Sequence, residues 1–285
     1  MSSLDRNEKR RKSAPNDISA HPTTMPMGDI LNFAVPTDIV PLPSQGKLYP
    51  PDHPLHGRDS IEIRHMTAKE EDILSSQALI KRGQAVDRML QNILVDTRID
   101  VNTLLVGDKN ALMYAARITG YGAAYDAYVN CSSCGERFEW CFDLSKYDEC
   151  FVGPSEEEEG ATYTANGTLE MELPVTKAVV ELRAITGEDE SFLTKAAEMK
   201  RNQNLPETGL TDLLKAMLVS ANGVRDRGLL ASFVDMMPAA DAKHIRTVYK
   251  RFMPNIVFLQ QTECHHCGAT KETEVPITGG FFWPG

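Results

Sequence analysis

The same alternation of apolar and polar positions occurs twice along this chain. Ile61-Glu-Ile-Arg-His-Met-Thr-Ala-Lys-Glu-Glu-Asp-Ile-Leu74 aligns without gaps on Val180-Glu-Leu-Arg-Ala-Ile-Thr-Gly-Glu-Asp-Glu-Ser-Phe-Leu193, and five of the fourteen positions are identical. Each copy predicts a short strand ending in Arg (Arg64, Arg183). A Thr N-cap (Thr67, Thr186) then opens an acidic helical turn. Thr67 with Glu70 makes a capping-box pattern, and Asp189 takes the place of that Glu in the second copy.

Helical spacing follows in both. Val86, Met89, Leu90, Ile93 and Leu94 form one stripe, and a second helix is expected from about Lys109, capped by Asp108 and stopped by Gly120 and Gly122. In the second copy Leu213, Leu214, Met217 and Leu218 form the stripe, and Pro238 opens a helix carrying Ile245, Val248 and Phe252. Thr67 to Cys131 spans 64 positions and Thr186 to Cys264 spans 78. The fourteen extra positions are expected around Arg201 to Thr211.

Period-two patterns close each copy. Tyr125, Ala127 and Val129 are answered by Phe138, Trp140 and Phe142; Ile256, Phe258 and Gln260 are answered by Thr273, Val275 and Ile277. Both read as hairpins, and the turn of each holds Cys-x-x-Cys-Gly: Cys131, Cys134 and Gly135, then Cys264, Cys267 and Gly268. The predicted fold class is therefore α+β. Two related halves, each of strand, helices and a hairpin with a zinc knuckle, stand in a pseudo-two-fold arrangement. The expected divisions are an N-terminal arm over 1–39, a first repeat over 40–152, an acidic linker over 153–168, a second repeat over 169–278 and an aromatic tail over 279–285.

Two thiolates three positions apart wrap one metal ion, and the following Gly tolerates the tight left-handed turn this needs. Cys131, Cys134, Cys264 and Cys267 together supply four sulfurs for one shared structural zinc. The rival is two sites, with Cys141 and Cys150 completing the first and His265 or His266 the second. Alternation turns Cys141 to the opposite strand face, and adjacent residues chelate one ion poorly, so the shared site is preferred. A redox Cys-x-x-Cys normally opens a helix, whereas here it precedes a strand.

Composition narrows the role. The formal charge is −10, and the knuckle flanks (Glu136, Arg137, Glu139, Glu263, Lys271, Glu272, Glu274) are net acidic. Both count against nucleic acid as a partner. Six cysteines, four of them in Cys-x-x-Cys pairs, suit a reducing compartment. No run is long enough to cross a bilayer, and the basic N-terminal residues Arg6, Lys9, Arg10, Arg11 and Lys12 carry no apolar signal region. Four thiolates leave no open position for metal catalysis, and the sequence contains no phosphate-binding, nucleophile-elbow or metalloprotease motif, so no enzyme and no small-molecule substrate are expected.

Two segments are candidate partner anchors. The Pro-rich stretch Val40 to Pro51 reads as an extended arm offering Pro43, Leu48 and Tyr49, and it satisfies the pattern of a plain connector equally well. The C-terminus ends in Phe281, Phe282 and Trp283, which can anchor a partner or fold back into the chain's own core.

Pro43-Ser-Gln-Gly-Lys-Leu-Tyr49, then Arg64 to Leu74, then Leu104 to Asn110, and Arg117 to Gly122 leading into Cys131-Ser-Ser-Cys134, occur in an order that resembles the T4-type bacteriophage baseplate hub and hub-assembly proteins of contractile-tailed phages. The resemblance covers roughly residues 40 to 150. It implies a structural role in a phage tail, other tail and baseplate proteins as partners, and a virion location after assembly in the host cytoplasm. The alternative from the cysteines alone is a zinc-ribbon nucleic-acid-binding or transcription-associated factor.

Overall fold

The computed structural model describes residues 34–153, 160–277 and 279–283. The basic N-terminal residues and most of the acidic loop between the copies lie outside them. The class is α+β: among the described residues eight α-helices pack with small antiparallel sheets, one four-stranded and four two-stranded. A single apolar core takes Ile63, Leu90, Leu112 and Phe142 from the first copy and Val180, Leu182 and Met217 from the second.

The two copies correspond further than their sequences do. β1 (Thr37–Pro41) pairs antiparallel with β2 (Ser60–Arg64), setting Val40 opposite Ile61. The second copy repeats this register, with its first strand, 169–172, pairing on 179–182 and setting Met171 opposite Val180. The residue after each first strand donates its N–H to the residue before each second one, Leu42 to Asp59 and Leu173 to Ala178. The first copy holds twelve more residues between these two positions, and they form the Pro-rich loop.

After β2 come α1 (Ala68–Ser75), α2 (Gln77–Lys81), α3 (Ala85–Ile93) and α4 (Val106–Tyr121). The expected capping box at Thr67 is present, and Arg64 completes it with paired bonds of 2.7 and 3.0 Å to Glu70. The second copy does the same, with Arg183 on Asp189 at 2.6 Å twice and Thr186 as the cap. Such bidentate pairs fix the strand-to-helix angle.

Burial acts upward on both carboxyls, but bonds from Arg64 and Thr67 hold Glu70 down to about 2, and bonds from Arg183 and Thr186 hold Asp189 below its ordinary value. The folded chain therefore binds fewer protons than the unfolded one below the ordinary glutamate value of 4.5. The stability these pairs contribute is fully present above that pH and is lost as pH falls towards 2. Urea midpoints measured across this window are expected to drop with acid, and to drop less in an Arg64→Met variant.

Each stripe of apolar helical positions ends one residue early. Leu94 and Leu218 leave their nine-residue helices for extended backbone and pair antiparallel with Ile63 and Leu182. Ile63 to Leu94 spans 31 positions and Leu182 to Leu218 spans 36. Five of the fourteen extra positions thus precede this point and nine follow it, rather than all lying near Arg201 to Thr211. The nine accompany a helix that the first copy lacks, Arg227–Asp235.

The start and end of α4 also differ from expectation. Asp108 is not its cap but its third residue, fully buried, and the helix runs through Gly120 to a left-handed cap at Gly122 (φ 84°). A Cβ at Gly120 would lie 2.1 Å from the methyl carbon at the flexible end of Met66, which would have to shift.

The remaining elements are β3 (Ala124–Asn130), β4 (Arg137–Asp143), β5 (Phe151–Val152), β6 (Thr162–Tyr163), β7 (Leu169–Glu172), β8 (Val179–Leu182), α5 (Gly187–Asn202), α6 (Gly209–Met217), β9 (Leu218–Ala221), α7 (Arg227–Asp235), α8 (Ala239–Phe252), β10 (Asn255–Ile256), β11 (Leu259–Glu263) and β12 (Thr270–Glu274). Residues 160–168, expected as linker, contribute β6 and the turn that folds it onto β7.

The Pro-rich stretch is not extended. Residues 43–48 form consecutive turns closed on Asp108, which accepts from the Ser44 N–H (3.0 Å), the Ser44 hydroxyl (2.6 Å) and the Tyr49 hydroxyl (2.8 Å). Asp241, third residue of α8, is its counterpart and accepts from the N–H groups of Val175 and Thr176 at 2.8 and 3.0 Å.

Candidate metal centre

The hairpin β3–β4 pairs Tyr125 with Phe142, Ala127 with Trp140 and Val129 with Phe138, the register that its alternation predicts. β11–β12 is shorter: Leu259 pairs with Glu274, while Ile256 leaves to pair with Phe151. Six residues separate the last pair of each hairpin, 131–136 between Asn130 and Arg137 and 264–269 between Glu263 and Thr270.

The two knuckles have the same backbone. Cys131 N–H donates to the Glu136 carbonyl (2.8 Å) and Gly135 N–H to the Cys131 carbonyl (2.9 Å); Cys264 donates to Ala269 (3.0 Å) and Gly268 to Cys264 (2.8 Å). Gly135 and Gly268 are left-handed, at φ 78° and 69°. Only glycine takes this conformation at no steric cost.

The knuckles meet sulfur to sulfur. Cys131 Sγ lies 3.7 Å from Cys267 Sγ, Cys134 Sγ lies 3.8 Å from Cys264 Sγ, and all four fall within 4.8 Å of one another. A tetrahedron of sulfurs at the usual zinc–thiolate length has edges of about 3.8 Å. The group can hold one metal ion, and it fits zinc. Cys131 and Cys264 are buried, whereas Cys134 and Cys267 face solvent.

The local field favours a cation. N–H groups of Cys134 and Ser133 point at Cys131 Sγ and pull its thiol down to about 6. At Cys134 the Glu136 N–H acts in the same direction, but partial desolvation and the neighbouring sulfurs outweigh it and push that thiol up to about 12. Four sulfurs this close cannot all ionise without a positive charge among them, and a divalent ion would supply it.

Cys141 and Cys150 do not join the group. Cys141 sits opposite Asp126 on the exposed face of β4, and the Cys150 thiol lies 3.6 Å from the Lys146 carbonyl. His265 turns its ring towards Phe138 and Trp140, with centroids at 5.7 and 6.0 Å, and His266 is exposed.

Contacts besides sulfur join the hairpins. The Gln260 amide bonds both the N–H (3.1 Å) and the carbonyl of Asp143, and the Tyr125 hydroxyl donates to the Pro276 carbonyl (3.0 Å). The sequence does not distinguish Gln260 from any polar strand residue. Asp108 and Asp241, by contrast, share a readable signal, an acid at the third position of each last helix.

The six expected partner anchors lie elsewhere. Pro43, Leu48 and Tyr49 are buried around Asp108. Phe281 is buried edge-on to Tyr114 and Tyr125, Phe282 is buried beside it, and half-buried Trp283 donates its indole N–H to the Leu74 carbonyl at 2.9 Å. In this chain all six pack on its own core.

Two strand-and-helix copies that share one core and bring four thiols together define an α+β scaffold with a candidate metal centre. The chain belongs to the family of T4 bacteriophage base plate proteins, which it matches over residues 36–283. No curated protein and no solved structure matches it. Membership makes it a structural component of the tail baseplate, a part of the virion that contacts other tail proteins. No helix among the described residues is long and apolar enough to cross a membrane.

Proposed function

We propose that the protein is a non-enzymatic element of the baseplate hub region, and that one zinc ion on Cys131, Cys134, Cys264 and Cys267 clamps its two repeats about a pseudo-two-fold axis. The meeting of four sulfurs from knuckles 133 positions apart carries this reading. The matched backbone of the two knuckles supports the axis, and family membership supports the setting. Its work is to hold other tail proteins in place.

Purified tails provide the test. Quantitative mass spectrometry is expected to find the chain in a fixed ratio to tail-tube and spike proteins. A chain required for assembly yet absent from finished tails would instead be an assembly factor. A DNA affinity that falls steeply with salt would favour the zinc-ribbon alternative.

A further inference from the structure

The second copy covers a surface that the first leaves open. In β1, Leu42 donates to Asp59 and His65 donates to the Pro36 carbonyl, so by antiparallel alternation Pro36, Asp38, Val40 and Leu42 bond towards β2. Thr37 and Ile39 therefore turn their N–H and C=O groups outward, and Pro41 beyond them has no N–H to offer. Among the described residues no strand pairs with that edge. In the second copy β6 pairs with the same edge of β7, setting Thr162 opposite Glu170, the counterpart of Ile39.

The adjoining face shows the same contrast. Glu181 is buried and bonded three times: by Thr168 at 2.6 Å from the β6–β7 turn, by Ser220 at 3.2 Å, and by Arg225 at 2.7 Å from the segment before α7. Its counterpart is Glu62, which is exposed. Glu62 shares a groove with Ile39, Arg58, Asp59, Val95 and Asp96, where Asp59 and Glu62 face one base, Arg58, and Asp96 is already bonded by both Arg58 and Arg98. Ile39 is 75% exposed, although its counterpart is a glutamate.

We infer that this edge and groove dock an extended, basic segment of a neighbouring tail protein. The segment adds antiparallel to Thr37–Ile39, packs an apolar side chain on Ile39 and sets a guanidinium on Glu62. It would supply in trans what β6 and Arg225 supply within the second copy. The inference rests on the baseplate reading.

The test supplies variants in trans to phage unable to make the chain and measures their content in purified tails. Ile39→Pro removes an outward N–H together with the exposed Ile39 side chain, and Glu62→Arg reverses one exposed charge. Each is expected to lower incorporation at least tenfold while leaving the purified protein's Tm and metal content unchanged. Amide exchange at Thr37 and Ile39 should slow at least a hundredfold from free chain to baseplate.

Wild-type incorporation of both variants would overturn the proposal, as would amides already slow in the free chain or no slower in the baseplate. Wild-type self-association abolished by these substitutions would do so too, by making a second copy the occupant. Should Ile39→Pro misfold, Glu62→Arg and the exchange measurement decide. Absence of the wild-type chain from finished tails would make it an assembly factor and remove the resident-baseplate reading on which the inference rests.

Discussion

Replacing Cys264 and Cys267 together by serine is expected to remove the metal from all four ligands and to lower Tm by about 8–16 °C. A shared tetrahedron cannot survive on one pair, because two thiolates leave half the coordination sphere to water. Zinc bound to four thiolates contributes ~10 kcal/mol or more in small domains that fold only around it. Here the common core, the Gln260–Asp143 bonds and the Tyr125–Pro276 bond already hold the hairpins together, so a smaller part of that energy is needed for folding. A loss of about 4 kcal/mol is reasonable on that basis, and at about 2–4 °C per kcal/mol for chains of this size it gives the stated shift. Replacing Cys131 and Cys134 should act alike, and elemental analysis should fall from one zinc per chain to none in both variants. Two zincs in the wild type, or metal lost on replacing Cys141, would defeat the shared clamp.

What the sequence made legible was local or strictly periodic. The Thr-capped helix starts could be read because cap, acid and strand-end arginine lie within seven residues of one another. The β3–β4 register could be read because one face is buried, and a slip by one residue would expose Phe138 and Phe142. The knuckle turn could be read because Gly after Cys-x-x-Cys permits few conformations.

The rest depended on distant partners. Pro43 to Tyr49 looks like an arm until Asp108, 59 to 64 positions away, is brought beneath it. Aromatic residues at a chain end have one composition whether they enter a partner's pocket or their own core, so Phe281 and Phe282 could not be assigned beforehand. Leu94 and Leu218 continue a helical stripe in sequence, but a strand opposite each captures its backbone. The depth of the duplication emerged in the same way: paired registers, matched nine-residue helices and buried aspartates, at positions where few residues are identical.

Those aspartates set the second large effect. Asp108→Ala is expected to destabilise the chain by about 3–5 kcal/mol, since three buried donors lose their acceptor at about 1–3 kcal/mol for each one left unsatisfied. The two hydroxyls can turn, but the Ser44 N–H is fixed by the backbone and stays buried without a partner. Tyr49 transmits the damage further, since its hydroxyl also accepts the Leu105 N–H at 3.1 Å, just ahead of α4. Asp241→Ala removes an acceptor from two N–H groups and should cost less, about 2–4 kcal/mol.

A double-mutant cycle with Tyr49→Phe separates the network from the cavity. If the cost lies in the shared hydrogen bonds, the two substitutions together should fall short of their sum by about 1 kcal/mol or more in denaturant unfolding. Additive losses, or a cost below about 1 kcal/mol for Asp108→Ala, would mean that the loop is held by the burial of Leu48 and Tyr49 alone. The acid would then be a passive companion to that packing. The structure argues otherwise, because a fully buried carboxyl that burial pushes up in pKa is tolerated here only by virtue of the three donors aimed at it.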